Sequence, residues 1–257
     1  MRRADARVSP QHQTQFREEG YFILEKAINE PTLDLLRNAC SQMIRRIETQ
    51  MDEAGTDTIG INHRHKRYFS HSGWYRDIPA LKRFIFGEVM ADICRQTIGP
   101  NAYLFNEIFV VKAAEVGMHF GWHQDSGYIP YRHTPYLTCW CALDDMSEAN
   151  GTVYILPYSK AGTRDYVRHV RQEATNDLVG YHGDDPGIPV IVPAGGIAVF
   201  SSTCFHRSGS NTTNKPRRAY VLQYEPEIIP DETGGGHRDL ADPFLLHGEK
   251  VMTCSTE

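Results

Sequence analysis

The chain has 257 residues, of which 27 are Lys or Arg and 32 are Asp or Glu, for a formal net charge of −5. A hydrophobic fraction of 40% and a charged fraction of 23% suit a globular chain with a real core. The acidic balance excludes the basic stripe of a nucleic-acid binder, and no apolar run reaches the ~20 residues that span a bilayer.

No Pro/Gly/Ser-rich or charge-blocked stretch divides the sequence, so one domain over 1–257 is expected. Met1-Arg2-Arg3 leads into polar sequence and not into an apolar signal core. The cysteines Cys40, Cys94, Cys139, Cys141, Cys204 and Cys254 form no CxxC pair, and the last residues, Cys254-Ser255-Thr256-Glu257, are no peroxisomal address. The expectation is a cytoplasmic protein with reduced thiols.

In chain order, Tyr21–Leu24 is a short strand-like run. Asn29-Glu30-Pro31 starts a helix, with Asn as cap and Pro in the first turn. Leu36, Cys40, Met43, Ile44, Ile47 and Met51 then share one helical face, and the helix ends before Gly55. The basic run His63-Arg64-His65-Lys66-Arg67 is read as a solvated face before an anion contact. A second helical stretch covers 79–98, broken near Gly87 and stopped by Gly99-Pro100.

Beyond Asn101 the sequence becomes strand-like. Candidates are Tyr103–Lys112, Leu137–Leu143, Thr152–Leu156, Val190–Val192, Ile197–Phe200 and Ala219–Tyr224. Turn signals at Asn150-Gly151, Asp184-Asp185-Pro186-Gly187 and Pro193-Ala194-Gly195-Gly196 separate them. Many short punctuated strands imply a sandwich or barrel, with the two helices on one outer face. On the strand 137–143, alternation puts Cys139 and Cys141 on the same side.

The sharpest motif is Trp122-His123-Gln124-Asp125. Positions i and i+2 of an extended chain share a side, so His123 and Asp125 can reach one ion. One imidazole and one carboxylate suit Fe(II), and a further His completes a facial triad with open positions. Phe200-Ser201-Ser202-Thr203-Cys204-Phe205-His206 supplies that His at the far end of an apolar strand. Arg217 follows His206 by eleven residues; its guanidinium can pair bidentately with a carboxylate, and Ser208 can donate a hydroxyl to the same group. Strand alternation turns Arg218 to the opposite face.

The stretches GWHQDSGYIPYRHTPYLTCWCALDDMSEANGTVYILPYSK and FSSTCFHRSGSNTTNKPRRAYVLQY, with FREEGYFILEKAI near the start, resemble the phytanoyl-CoA dioxygenase family of iron/2-oxoglutarate oxygenases. The resemblance covers roughly 14–226. It implies a double-stranded β-helix (a cupin-like jelly roll) with N-terminal helices braced on one sheet. It further implies iron(II) as cofactor, 2-oxoglutarate and O2 as co-substrates, and hydroxylation of a small organic metabolite with release of succinate and CO2. Carried over residue by residue, His123, Asp125 and His206 match the iron ligands. Arg217 and Ser208 match the contacts to the distal carboxylate of 2-oxoglutarate, and Trp140 lines its pocket. Gly195-Gly196 replaces a common Gly-Asp turn, and no basic region for coenzyme A is evident. Asp125 argues against a halogenase, which lacks that carboxylate. A divalent-metal jelly-roll hydrolase or isomerase and a non-catalytic binding module are the alternatives, neither of which uses Arg217 and Ser208.

Loops at a barrel mouth carry substrate contacts. Tyr128 and Tyr131 are candidates there, and Trp74 is read as a packed loop aromatic before it is read as a lid residue of the substrate site. His119 is read as structural before it is read as a substrate group. Asn106 and Lys112 lie on the first sheet strand, and Arg207 is a candidate contact for an anionic substrate. The expected partner is a small molecule, with no nucleic acid and no membrane; the oligomeric state is left open.

Overall fold

The computed structural model describes residues 7–70, 72–114, 119–172 and 178–251. The expectations placed on Met1–Arg3 and on Cys254–Glu257 lie outside these residues.

A helix absent from the sequence reading opens the fold. Helix α1 (Pro10–Glu19) is capped by Ser9, whose side chain accepts from the His12 amide while the His12 ring accepts from the Ser9 amide. Strand β1 (Tyr21–Leu24) follows, then helix α2 (Glu30–Ala54). Asn29 caps α2 by accepting from Thr32 N at 3.0 Å, and Gly55 ends it in the left-handed region at φ 63. Three short strands come next, β2 (Thr58–Ile59), β3 (Asn62–His63) and β4 (Arg67–Phe69). The stretch 79–98 is broken as expected. Helix α3 (Trp74–Asp77), a 3-10 turn (Pro79–Leu81) and α4 (Lys82–Ile85) precede α5 (Glu88–Thr97), for which Gly87 is the N-cap.

The barrel begins with β5 (Ala102–Lys112), β6 (Phe120–His123), β7 (Leu137–Ala142) and β8 (Val153–Leu156). Helix α6 (Tyr158–Ala161) and the short strands β9 (Val170–Arg171), β10 (Leu178–Val179) and β11 (Ile188–Pro189) lie between. It closes with β12 (Ile197–Ser201), β13 (Phe205–Ser208), β14 (Arg217–Glu225), β15 (Asp242–Leu246) and β16 (Glu249–Lys250).

Among the described residues the large sheet runs β1-β12-β7-β14-β5-β4-β3-β2, with β15 beside β5, and the small sheet runs β11-β8-β13-β6. The pairings are antiparallel, and the architecture is the double-stranded β-helix of cupin-like folds. The outer face of the large sheet carries Cys139, Cys141, Tyr220, Leu222 and Tyr224, which pack against Leu36, Cys40 and Met43 of α2 and Met90, Ile93 and Cys94 of α5. Each such fully buried aliphatic side chain contributes roughly 1.5–3 kcal/mol. The opposite, inward face carries Trp140, Ala142, Ala198, Phe200 and Ala219.

Two expectations change. Val190–Val192 is not a strand; the pairing to β8 is made by Ile188 and Pro189, and Val190 then bonds Val153 O at 2.9 Å. The run 200–206 is not one strand either. It breaks at Ser202–Cys204, so that β12 joins the large sheet and β13, with His206, joins the small one.

Candidate metal centre

The small sheet brings the three candidate ligands together. His123 ends β6, directly across from His206 on β13 in antiparallel register. Asp125 opens a 3-10 turn (Asp125–Tyr128) two residues on, still on the side of His123. One donor atom from each of His123, Asp125 and His206 lies within 4.8 Å of the other two. The imidazole centroids are 4.2 Å apart, and His206 Nε2 is 3.5 Å from Asp125 Oδ1.

Each side chain is aimed by a hydrogen bond on its far side. His123 Nδ1 is 2.8 Å from Gly121 O and His206 Nδ1 is 3.2 Å from Cys204 O, which leaves each Nε2 for the centre. Asp125 Oδ2 accepts from Thr138 Oγ1 at 2.6 Å and from Gln223 Nε2 at 3.0 Å, so Oδ1 faces the histidines. Burial, then the neighbouring His206, pushes the His123 imidazole down to about 3, which keeps its lone pair free at neutral pH. Burial alone would raise Asp125, but His206, His123 and the Thr138 hydroxyl together bring it down to about 2. Two imidazoles and one carboxylate, converging with their far atoms already bonded, fit a divalent ion.

The centre lines a cavity of about 780 Å³ that also exposes Ser208, Trp140 and Arg217. Arg217 is 1% exposed and donates from Nη2 to Gly151 O at 2.9 Å; among the described residues its Nε and Nη1 have no hydrogen-bond partner. Its guanidinium lies 5.6 Å from the centroid of the Trp140 ring. Gly151 is at φ +74, and a Cβ there would stand 2.4 Å from Gly209 O, so the Asn150-Gly151 turn that receives Arg217 requires glycine. Arg218 takes the other face and pairs with Asp144 at 2.6 Å. Arg217 thus presents two uncommitted nitrogens in a buried position, an arrangement that calls for an anion.

The remaining candidates separate. Tyr128 lines the cavity, half-open to solvent, with its ring 5.7 Å from that of His123, and Asn106 lines it from β5. Tyr131 instead bonds Pro230 O at 2.7 Å and faces a second cavity of about 440 Å³. Trp74 is buried in the core beside the helices, with Arg46 5.2 Å over its ring, and His119 is exposed and not part of the cavity wall. Arg207, between two inward residues of β13, stacks over Tyr154 at 3.9 Å and donates to Pro186 O at 3.0 Å, and it also lines the cavity. His63 and Arg67 of the basic run do line the cavity, together with Arg238 and Asp239.

The sequence reading missed Thr138 and Gln223, although same-face alternation from Trp140 and from Arg217 leads to both. It also missed Gln124, which is fully buried between two candidate ligands. Gln124 Nε2 donates to Thr203 O at 2.7 Å and Asp165 O at 2.9 Å, while its Oε1 accepts from Val167 N.

Comparison with known proteins agrees with this geometry. Residues 16–219 match the family model described as phytanoyl-CoA dioxygenase (PhyH). A phytanoyl-CoA dioxygenase domain-containing protein 1 from Danio rerio is 22% identical over 253 residues, covering 80% of this chain and 86% of the relative. A probable alpha-ketoglutarate-dependent hypophosphite dioxygenase from Stutzerimonas stutzeri is 28% identical over 179 residues, covering 67% of this chain and 62% of the relative. Among solved structures, EvdO2 from Micromonospora carbonacea var. aurantiaca complexed with 2-oxoglutarate superposes with a TM-score of 0.67 at 20% identity, covering 92% of this chain and 94% of that one. The family match spans most of the chain and contains the whole His–Asp–His centre, and the chain accordingly belongs to the phytanoyl-CoA dioxygenase (PhyH) family of iron(II)- and 2-oxoglutarate-dependent oxygenases.

Proposed function

We propose that the protein hydroxylates a small organic metabolite, within one domain that carries the whole site. His123, Asp125 and His206 hold iron(II), Arg217 and Ser208 hold the distal carboxylate of 2-oxoglutarate, and Trp140 walls that pocket. The observation that carries this reading is Arg217. A buried guanidinium with two uncommitted nitrogens, in the cavity that holds the His–Asp–His cluster, has a role only if a carboxylate enters. A hydrolase, an isomerase or a binding module built on the same barrel leaves it without one.

Bound iron, with 2-oxoglutarate and O2, supplies the oxidising power, the oxo acid leaving as succinate and CO2. The chain itself orients and shields. Gly121 O and Cys204 O fix the two imidazoles, and Thr138 and Gln223 fix one oxygen of Asp125. Phe120, Val153, Phe200 and Val221 give the cavity apolar walls that exclude water. Tyr128, Asn106, Arg238 and Asp239, which line the same cavity, are the candidates to meet the substrate. No helix among the described residues is long and apolar enough to cross a membrane. Buried thiols at Cys40, Cys94, Cys139, Cys141 and Cys204 and the acidic balance favour a cytoplasmic setting and no nucleic-acid partner.

Anaerobic titration of the apoprotein with Fe(II) and then 2-oxoglutarate tests the reading. A weak visible charge-transfer band is expected, absent in His123→Ala, followed by succinate formation when O2 is admitted. Bound iron without that band would remove 2-oxoglutarate from the site.

A further inference from the structure

Lys112 closes β5 and is fully buried. Its Nζ donates to Ser208 Oγ at 2.8 Å and also to Gly209 O. In register, it lies between Arg67 on β4 and Arg217 on β14. Those two neighbours and Ser208 line the cavity, whereas Lys112 stands behind Ser208.

An ammonium group only donates. The Ser208 oxygen is therefore the acceptor in its bond with Lys112, and the Ser208 proton has to leave in another direction, with the cavity as its open side. A donor chain from ammonium to hydroxyl to carboxylate strengthens each of its bonds in a low-dielectric pocket.

We propose that Lys112 is a positioning residue for the co-substrate. It fixes the Ser208 hydroxyl as a donor and adds a second buried cation beside Arg217, which makes this end of the pocket selective for an oxo acid with a second carboxylate. The inference rests on the reading of the cavity as a 2-oxoglutarate site and adds to it a residue that never lines that cavity.

The test compares two oxo acids on the Fe(II)-loaded protein under anaerobic conditions, read by the charge-transfer band. 2-Oxobutyrate shares the chelating head of 2-oxoglutarate and lacks the distal carboxylate. Lys112→Met is expected to raise the Kd for 2-oxoglutarate by about tenfold or more, the scale of one hydrogen bond to a charged group. Binding of 2-oxobutyrate stays unchanged, and KM for 2-oxoglutarate rises more than kcat falls. In a Ser208→Ala background Lys112→Met adds less than in the wild type, since both act through one bond. If the Met variant does not fold, Lys112→Gln, which keeps a neutral donor for Gly209 O, reads the contribution of the charge. Unchanged 2-oxoglutarate affinity, or equal weakening of both oxo acids, overturns the role of Lys112 alone. A wild type without any 2-oxoglutarate-dependent band overturns the co-substrate reading and this inference with it.

Discussion

Arg217 shows how function and stability pull apart at one residue. Burial has already lowered its pKa to about 10, and among the described residues two of its three guanidinium nitrogens find no hydrogen-bond partner. Such a group destabilises the empty fold and recovers its cost when a carboxylate arrives. Arg217→Met is expected to stabilise the apoprotein by about 1 kcal/mol or more, read as a raised urea midpoint. It should also remove about 2–5 kcal/mol of 2-oxoglutarate affinity. A lower midpoint together with intact affinity would contradict both halves of the argument. At this scale the sequence is most legible where residues alternate along an extended chain: His123 with Asp125, and Arg217 against Arg218. It is least legible where tertiary contacts choose the direction. Nothing local tells that Tyr131 turns to Pro230 or that Arg207 stacks on Tyr154, whereas Trp74 packs into the core as the sequence reading expects.

Elements were legible where their ends carry chemistry. Asn29 and Gly55 bound α2 because a side-chain acceptor and a left-handed glycine satisfy the end groups of the helix. Helix α1 escaped because the residue reciprocating its Ser9 cap is His12, not the Glu or Gln of the usual capping box. The break between β12 and β13 escaped for a different reason, since the apolar run continues through it. What stops the strand is Ser202. Its amide donates to Tyr136 O at 2.7 Å, and its hydroxyl accepts from Tyr136 N at 2.9 Å and from Ser126 Oγ at 2.8 Å. These bonds tie the turn before His206 to the segment that carries Asp125. Ser202→Ala leaves the Tyr136 amide without its buried acceptor, which costs about 1–3 kcal/mol. Urea unfolding should show that loss, and Fe(II) affinity should fall with it, because the third ligand is no longer fixed against the second. Unaltered iron affinity in a destabilised variant would mean that β6 and β13 alone hold the centre.

For the whole molecule, the turn-punctuated strands imply a sandwich or barrel with helices on one face, since that face needs a cover, and the family resemblance narrows this to a jelly roll. How the strands divide between two sheets follows from long-range pairing, which a single sequence does not display, and two-residue strands such as β9 and β10 carry no periodicity at all. The fold also buries two carboxyls in the large sheet away from the metal centre, and these set a pH dependence. Burial raises Glu107 to about 7 against the hydrogen bonds from Tyr220 and Tyr75, and raises Glu225 to about 7 against the bond from Ile229 N. In the unfolded chain both ionise near 4.5. Below that value both states are protonated and the stability is complete. Between 4.5 and 7 the unfolded chain releases its protons first, so stability falls as pH rises, and the loss is complete above 7. His123 acts in the opposite sense: it stays neutral in the fold down to about 3, so its contribution is lost as pH drops from 6.5 towards 3. Replacing Glu107 and Glu225 by Gln removes only the first slope. The double variant should therefore gain on the wild type between pH 5 and pH 8, by on the order of 1 kcal/mol per carboxyl, whatever its absolute stability. Urea midpoints of the two apoproteins at both pH values decide it: a difference that is the same at pH 5 and pH 8 would mean that both carboxyls already ionise in the fold as they do in the unfolded chain.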